Sequence, residues 1–310
     1  MIDLAPLIAF LLIAFSIGSN DTSNSFGICI GCRIISLREA TFILFILVIL
    51  GLFAQGDKVM KTVGEDFVEL NPEISAVAMG ISAAMIVTSN FRGFPVSTHQ
   101  VIIGSLAGSA FAYGASLSFS TLFKILLSWI ISPAIAGIVA VSIFLLLERI
   151  LRTFSFVAID RILKAMILIS AILIAYNTGA NELATAMAPV IHAGVAEKTS
   201  LTIFGAALLC LGAILLSRRV IETVCKGITA LDPRSGLSAH LGTGIAVLGF
   251  TTIGMPVSTT YAMIGGIASV GFLKGMKAVR VETLKRIIFN WFFAPSSSFL
   301  LSFFVAKMLQ

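Results

Sequence analysis

The sequence predicts an all-α polytopic membrane protein built from two inverted-topology repeats of about five spans each, with broken helices or re-entrant segments at the midplane. Three observations predict it. The 310 residues are 58% hydrophobic and only 12% charged, with a mean hydropathy of +1.05, whereas an ordinary soluble domain carries roughly 25% charged residues. Two polar motifs recur at one spacing: Gly18-Ser19-Asn20-Asp21 returns as Gly179-Ala180-Asn181-Glu182, and Pro95-Val96-Ser97-Thr98 returns as Pro256-Val257-Ser258-Thr259, each 161 positions later. Equivalent loops of the two halves also carry opposite charge balances, which places them on opposite sides of a bilayer.

The apolar stretches run in order at 4–17, 40–53, 75–87, 122–147, 162–175, 201–216, 237–253, 264–273 and 287–305. Several reach or approach the ~20 residues that cross a bilayer. The first is no cleavable signal peptide: it lacks a basic leader, and its polar end carries the repeated motif. The net charge of +6 lies in short loops and is no sign of a nucleic-acid partner. Cys29 and Cys32 form a C-x-x-C pair without a second pair or a nearby His, so they read as small packing residues, not a redox or metal centre.

Further matches extend the repeat. Gly51 pairs with Gly212, and Val59-Met60-Lys61-Thr62-Val63 with Val220-Ile221-Glu222-Thr223-Val224; Trp129 and Pro133 match Trp291 and Pro295 at an offset of 162, one residue having been inserted. The first repeat therefore occupies residues 1–147, a basic cytoplasmic connection 148–161, and the second, inverted repeat 162–310. The segment 57–73 has a net charge of −3, its counterpart 218–234 a net of +2; the loop 113–120 has none, its counterpart 274–286 a net of +4. Five crossings per half accommodate these signs, with Arg33, Arg38, Arg92, 148–161, 218–234 and 274–286 inside, and 57–73, 113–120, Glu197 and both termini outside.

The run from Gly18 to Ser25 sets eight small or polar residues into an apolar stretch. In hydrocarbon an unsatisfied backbone group costs several kcal/mol, so a broken helix is expected here only where it lines a cavity. Asp21 at that depth is a functional residue by default. With Asn20, Asn24 and freed carbonyls it makes an oxygen-rich site suited to Na⁺; the plainer reading is a helix cap. Asn181, Glu182 and Thr185 repeat the set. In the second motif, Gly then Pro breaks and restarts a helix, and Ser97, Thr98, Ser258 and Thr259 put hydroxyls at a positive helix start, an anion site. The alternative is a proline kink whose hydroxyls re-satisfy the backbone. His99, which has Thr260 in its place in the second half, reads as a hydrogen-bonded neighbour, and Arg92 as a loop charge.

Helix starts contribute ~0.3–1 kcal/mol each, too little to strip a multiply charged anion of water. A cation ~4 Å away contributes about 4 kcal/mol per unit charge at an effective dielectric of ~20. Bare carboxylates would repel an anion, so the motifs make sense if cations bridge carboxylate and substrate, which is cation–anion symport. An intramembrane enzyme would want paired Asp in G-x-G-D contexts or D-D-x-x-D clusters, and neither occurs. A cation or divalent-metal carrier is the competing transport reading, but it would not need the Ser-Thr helix starts.

These motifs resemble the inorganic phosphate transporter (PiT) family, whose halves each carry G-[AS]-N-D-x-[AS]-N-[AS]. Gly18 to Ser25 fits in full, and Gly179 to Ala186 fits with Asp→Glu and Asn→Thr. The family's P-[VI]-S-[TS]-[TS] segment fits Pro95 to His99, with His99 in the last place, and Pro256 to Thr260. The resemblance implies a multi-pass plasma-membrane permease, a homodimer in the lipid bilayer, that takes up inorganic phosphate driven by Na⁺ or H⁺, with no other cofactor. It implies that Asn20, Asp21, Asn24, Asn181, Glu182 and Thr185 serve the coupling ion, with Na⁺ at Asn20, Asp21, Asn181 and Glu182, and that Ser97, Thr98, Ser258 and Thr259 hold the anion. Some members move sulfate, which makes sulfate or another oxyanion the alternative substrate.

The charge pattern yields a direct test. A cysteine introduced at Ser116 is expected to react with an impermeant thiol reagent from outside, and one at Gly275 only from inside. Labelling of both from one face of sealed vesicles would contradict the inverted arrangement.

Overall fold

A computed structural model describes residues 4–92, 96–228, 232–275 and 281–310. The side chains of 91–92, 217–228 and 281–288 are outside the described set. Pro95 of the first Pro-Val-Ser-Thr motif, the Arg92 side chain and most charges of the basic segments 218–234 and 274–286 therefore lie outside the described residues.

The chain is helical throughout, with one isolated β-bridge, Val68 to Leu117, among the described residues. The first half runs α1 (Leu4–Gly31), α2 (Leu37–Gly51), a π-turn (Leu52–Gly56), α3 (Asp57–Lys61), a second π-turn (Thr62–Asp66), α4 (Pro72–Arg92), α5 (Thr98–Tyr113) and α6 (Phe119–Leu151). The second runs α7 (Phe156–Asn177), a π-turn (Thr178–Leu183), α8 (Ala184–His192), α9 (Lys198–Ile228), α10 (Pro233–Thr252), α11 (Thr259–Lys274) and α12 (Val281–Leu309). Because α2 to the second π-turn and α7 to α8 are each continuous, the described residues of each half form five rods.

Six helices among the described residues are long and apolar enough to cross a bilayer: Leu4–Gly31, Leu37–Asp66, Pro72–Asn90, Phe119–Leu151, Lys198–Leu216 and Phe289–Leu309. The chain is thus a multi-pass membrane protein. α5 and α11 have 16 residues each, about 24 Å of helix, short of the ~30 Å hydrocarbon core. They are the second limbs of two hairpins, α4–α5 and α10–α11. Lipid-facing positions are large and apolar, as with Phe123, Ile130 and Ile138 on α6, while Phe10, Ile13, Ile17, Phe26 and Leu44 are fully buried between helices.

The polar run of α1 does not break the helix, contrary to the expectation drawn from its composition. α1 passes through Gly18–Ser25 as continuous α-helix. Its hydroxyls bond within the helix: Ser19 Oγ to Ser16 O at 2.8 Å, Thr22 Oγ1 to Gly18 O at 2.6 Å, Ser25 Oγ to Asp21 O at 2.8 Å. Ser and Thr that bond back to preceding carbonyls satisfy themselves without water, so no break is needed. The second copy widens into the π-turn Thr178–Leu183, a form that tends to mark functional positions. True interruptions fall between α4 and α5 and between α10 and α11. Of the two motif cysteines, Cys29 is buried but Cys32 is exposed at the helix end, so only the first packs as expected.

Helix contacts repeat with the halves exchanged. A Cβ on Gly18 would collide with the backbone of Leu209, and one on Gly179 with that of Val48; Leu209 is the repeat equivalent of Val48. Gly212 sits likewise on Phe15, and Gly51 on Tyr176, again equivalents. Gly104 meets Pro295 while Gly265 meets Pro133. Each first-half helix therefore touches the second-half counterpart of the helix that touches its own equivalent.

The hairpins enter from opposite ends. The ends of α4–α5 are tied by the Val68–Leu117 bridge and by Ser118 N donating to Phe67 O at 3.0 Å. That end also holds the Lys198–Asp57 pair at 2.6 Å and His192 Nε2 3.5 Å from Glu65 Oε1. The ends of α10–α11 are joined by the Lys274–Asp232 ion pair. Between Lys198 and Asp232 runs α9, 31 residues and about 46 Å long.

The glycine contacts set a stability test. Gly18→Val and Gly179→Val force backbones apart, so each is expected to cost at least the ~1–3 kcal/mol of ordinary overpacking. This should appear as a lower thermal midpoint and less monodisperse protein in detergent. Gly80→Ala and Gly249→Ala, where an added Cβ meets nothing within 4 Å, should leave both unchanged.

Candidate functional site

The hairpin tips converge on the π-turn between α7 and α8. Asn181, fully buried, is the meeting point. Its Nδ2 donates to Thr251 Oγ1 at 2.8 Å and to Met255 O at 3.0 Å, both at the tip of α10–α11. Its Oδ1 accepts from Val257 N at 3.1 Å and lies 2.8 Å from His99 Nε2, on the tip of α4–α5. A carbonyl can only accept and a peptide N–H only donate, so Met255 O and Val257 N fix the carboxamide's orientation. The Asn181 oxygen therefore faces His99, and His99 Nε2 must carry its hydrogen. The other ring nitrogen, Nδ1, is 3.2 Å from Glu182 Oε2.

Glu182 and Asp21 are both about 4% exposed. Glu182 Oε1 accepts from Thr259 N at 3.4 Å, at the start of α11. Asp21 Oδ1 accepts from Asn24 Nδ2 at 2.9 Å, and the same Nδ2 donates to Thr260 Oγ1 at 3.1 Å. The two carboxylates thus have unlike neighbours at equivalent places: imidazole beside Glu182, a hydroxyl within the shell of Asp21. Asn20 is half-buried, and Thr185 Oγ1 is spent on Asn181 O at 2.8 Å.

The four hydroxyl residues stand at the two helix starts. Ser97 and Ser258 are the N-caps of α5 and α11, both with extended backbone. Ser258 Oγ accepts from Tyr261 N at 3.4 Å, whereas Ser97 caps nothing. Ser97 Oγ is buried without a hydrogen-bond partner among the described residues, whereas the Thr259 hydroxyl lies against the Glu182 carboxylate. Thr98 is buried as well. An unpaired buried hydroxyl is costly, and one beside a helix N-terminus is a donor of the kind an anion takes up. Tyr261 OH donates to Gln100 Oε1 at 3.1 Å, and these residues are repeat equivalents, so the helix starts are linked where the halves exchange.

The fold thus brings together residues from both copies of both motifs. It also recruits Thr251 and His240, which the motifs did not single out. Thr251 had a signal: its equivalent is Asn90, another polar residue in a helix. His240 had none, since its equivalent is Met79; it bridges Asn24 O at 2.7 Å and Ser170 Oγ at 2.7 Å. Among the described residues no group of three His, Cys, Asp or Glu could hold a metal ion on its own.

Comparison with known proteins gives a consistent picture. The family model described as "Phosphate transporter family" matches residues 17–158 and again 152–302. A protein of Methanocaldococcus jannaschii provisionally named a phosphate permease is 37% identical over 309 residues, spanning 99% of this chain and 98% of that protein. The sulfate permease of Bacillus subtilis is 27% identical, over 99% of this chain and 88% of its own. A solved structure named "The sodium-dependent phosphate transporter" superposes with a TM-score of 0.83 at 24% identity, covering 99% and 98% of the two chains.

The hydrogen bonds of Asn181 separate it from its sequence equivalent. Asn181→Ala strands Val257 N, Met255 O and His99, at ~1–3 kcal/mol for each group left unsatisfied. It should lower the thermal midpoint in detergent well below that of Asn20→Ala; equal midpoints would show that the Asn181 network contributes nothing to stability.

Proposed function

Because the chain belongs to the phosphate transporter family, we propose that it takes up inorganic phosphate across the plasma membrane by Na⁺ symport. The observation that carries this reading is the unpartnered buried hydroxyl of Ser97 at the start of α5, in a core that also buries the two carboxylates Asp21 and Glu182. Ser97, Thr98, Ser258 and Thr259 hold the anion with hydroxyl and backbone donors. Asn20, Asp21 and Asn24 in one half and Glu182 in the other serve the coupling ions, while Asn181 and Thr185, expected from the motif to do the same, hold the π-turn that carries Glu182. The Asn181 amide is already saturated within the protein, so Glu182 supplies the oxygens on its side.

The electrostatics require both ions. Two buried carboxylates repel each other and any anion at the helix starts. A unit cation ~4 Å from each group reverses the balance by about 4 kcal/mol per charge at an effective dielectric of ~20, which makes anion binding conditional on the cation. The name of the solved neighbour, a sodium-dependent transporter, supports Na⁺ over H⁺.

The same reading includes inverted repeats, with residues 1–147 and 162–310 as the units and 148–161 as the cytoplasmic connection. Support comes from the exchanged glycine contacts, from hairpins entering at opposite ends and from the doubled family match. A homodimer accords with the family resemblance. Sulfate is the second reading, favoured by the Bacillus subtilis relative.

Uptake of radiolabelled phosphate into proteoliposomes should be driven by an inward Na⁺ gradient, persist under excess sulfate and stop in choline. Full activity in choline that collapses with the pH gradient would replace Na⁺ by H⁺. Strong competition by sulfate would change the substrate. Asp21→Asn should raise the Na⁺ concentration for half-maximal uptake about tenfold, as ~1.4 kcal/mol of lost charged contact implies. Ser97→Ala with Ser258→Ala should chiefly raise the KM for phosphate.

A further inference from the structure

His192 is the histidine that an aqueous ion can reach. The chain has three, and His99 and His240 are each 1% exposed, whereas the His192 side chain is 19% exposed. It closes α8, at the end of the molecule where the ends of α4–α5 are tied, and the site described above does not use it. Its repeat equivalent is Gly31, and the equivalent of its neighbour Glu65 is Lys226, so duplication does not account for the pair.

The ring is held in one orientation and one tautomer. Nδ1 lies 2.9 Å from Ala188 O. A carbonyl only accepts, so Nδ1 carries the hydrogen and the neutral ring keeps its lone pair on Nε2. Nε2 is 3.5 Å from Glu65 Oε1, longer than the ~2.7–3.2 Å of an N–H···O hydrogen bond, and in these states both atoms are acceptors. The separation matches the roughly 3.4 Å between two ligands that each lie ~2.0–2.1 Å from one tetrahedral ion. A metal-bound histidine usually donates its other ring N–H to a carbonyl or carboxylate, as His192 does to Ala188. Gly64 makes the arrangement possible, because a Cβ there would collide with the His192 ring.

The pair lines a cavity of about 630 Å³ together with Asp66, Glu69, Ser116 and Ser118 among others. Water from the cavity completes a shell that two protein ligands leave open, and the Asp66 and Glu69 carboxylates raise the local concentration of cations. Imidazole with carboxylate suits Zn²⁺ and its first-row neighbours, whereas Ca²⁺ and Mg²⁺ take oxygen ligands. The two ligands also ride on different rods. α8 continues the π-turn that carries Asn181, whose amide holds Thr251 and Met255 at the second hairpin tip. The second π-turn, with Glu65, continues α3, whose Lys58 Nζ donates to Thr252 O at 2.8 Å on the same tip. An ion shared by His192 and Glu65 joins the two rods that grip that tip.

We propose that His192 and Glu65 are the protein ligands of a divalent zinc-type ion whose shell is completed by water, and that the bound ion restrains phosphate transport by tying these rods together. The restraint rests on the transport reading given above, and the site stands without it.

The test uses the full-length protein without a polyhistidine tag, in a parent carrying Cys32→Ser and Cys225→Ser to remove competing thiols. Zn²⁺ titrated in detergent against a chromophoric chelator should fill one tight site per chain. His192→Gln and Glu65→Gln should each weaken that site by at least ~10-fold, the lower figure for losing even an outer partner of a metal site, and excess Ca²⁺ should leave it filled. Cu²⁺ in place of Zn²⁺ should show one imidazole nitrogen in its electron paramagnetic resonance spectrum, absent in His192→Gln. In sealed proteoliposomes, Zn²⁺ added to the face that labels Ser116→Cys should slow phosphate uptake severalfold in the parent and leave uptake by His192→Gln unaffected. No zinc site, a site that survives His192→Gln, or displacement of Zn²⁺ by Ca²⁺ would overturn the proposal, the last by showing a plain acidic cluster. Zinc bound at His192 with uptake unslowed would overturn the restraint. Absence of uptake by the zinc-free parent would refute the transport reading instead, with the titration still deciding whether the site exists.

Discussion

The carboxamide of Asn181 holds together parts of the chain that come from opposite ends of the molecule. It accepts from Val257 N and from His99, and donates to Thr251 and Met255, so both hairpin tips depend on one side chain. In hydrocarbon this is a strong constraint, because a peptide group or imidazole deprived of its partner finds no water to replace it. The π-turn Thr178–Leu183 is what aims Asn181 and Glu182 at the tips. The position of Thr259 N over Glu182 and of Ser97 at the start of α5 is built outward from this junction.

Around it, close packing of small residues does the work that hydrophobic burial does in a soluble protein. Lipid tails are as apolar as Leu, so helices gain little by hiding apolar surface and associate through close van der Waals contact instead. The exchanged contacts of Gly18 and Gly179, and of Gly51 and Gly212, bring backbones together at the level of the polar motifs. A duplicated chain makes each of these contacts twice, and that doubling gives the two tips a shared centre.

The same centre explains why a site with two buried acids is suited to an anion. Backbone and hydroxyl donors at two helix starts supply directionality but little energy. In the proposed function the carboxylates supply affinity for cations and the cations supply affinity for the anion, so that coupling follows from charge balance. The unlike neighbours of Asp21 and Glu182, Asn24 with Thr260 on one side and His99 on the other, make the surroundings of the two carboxylates chemically distinct although their motifs are copies.

The sequence by itself determined the class of the protein and its duplication, and it singled out the residues of the candidate site. Hydropathy, the 161-residue offset and the charge of equivalent loops are properties of composition and order, and they need no tertiary contact to be read. It also located Asp21, Glu182 and the four hydroxyl residues, because polar groups in an apolar stretch are conspicuous wherever they end up. What it misjudged was local: the run Gly18–Ser25 looks like a break, yet hydroxyls bonding to preceding carbonyls keep α1 intact. What only the tertiary structure decided was partnership. That Asn181 is saturated while Ser97 Oγ is not, that His240 reaches Asn24, and that α5 and α11 are the short limbs of hairpins all depend on helices packed from distant parts of the chain. A hydrogen bond is set by distance and angle between groups up to 236 positions apart, and no periodicity in the sequence encodes that.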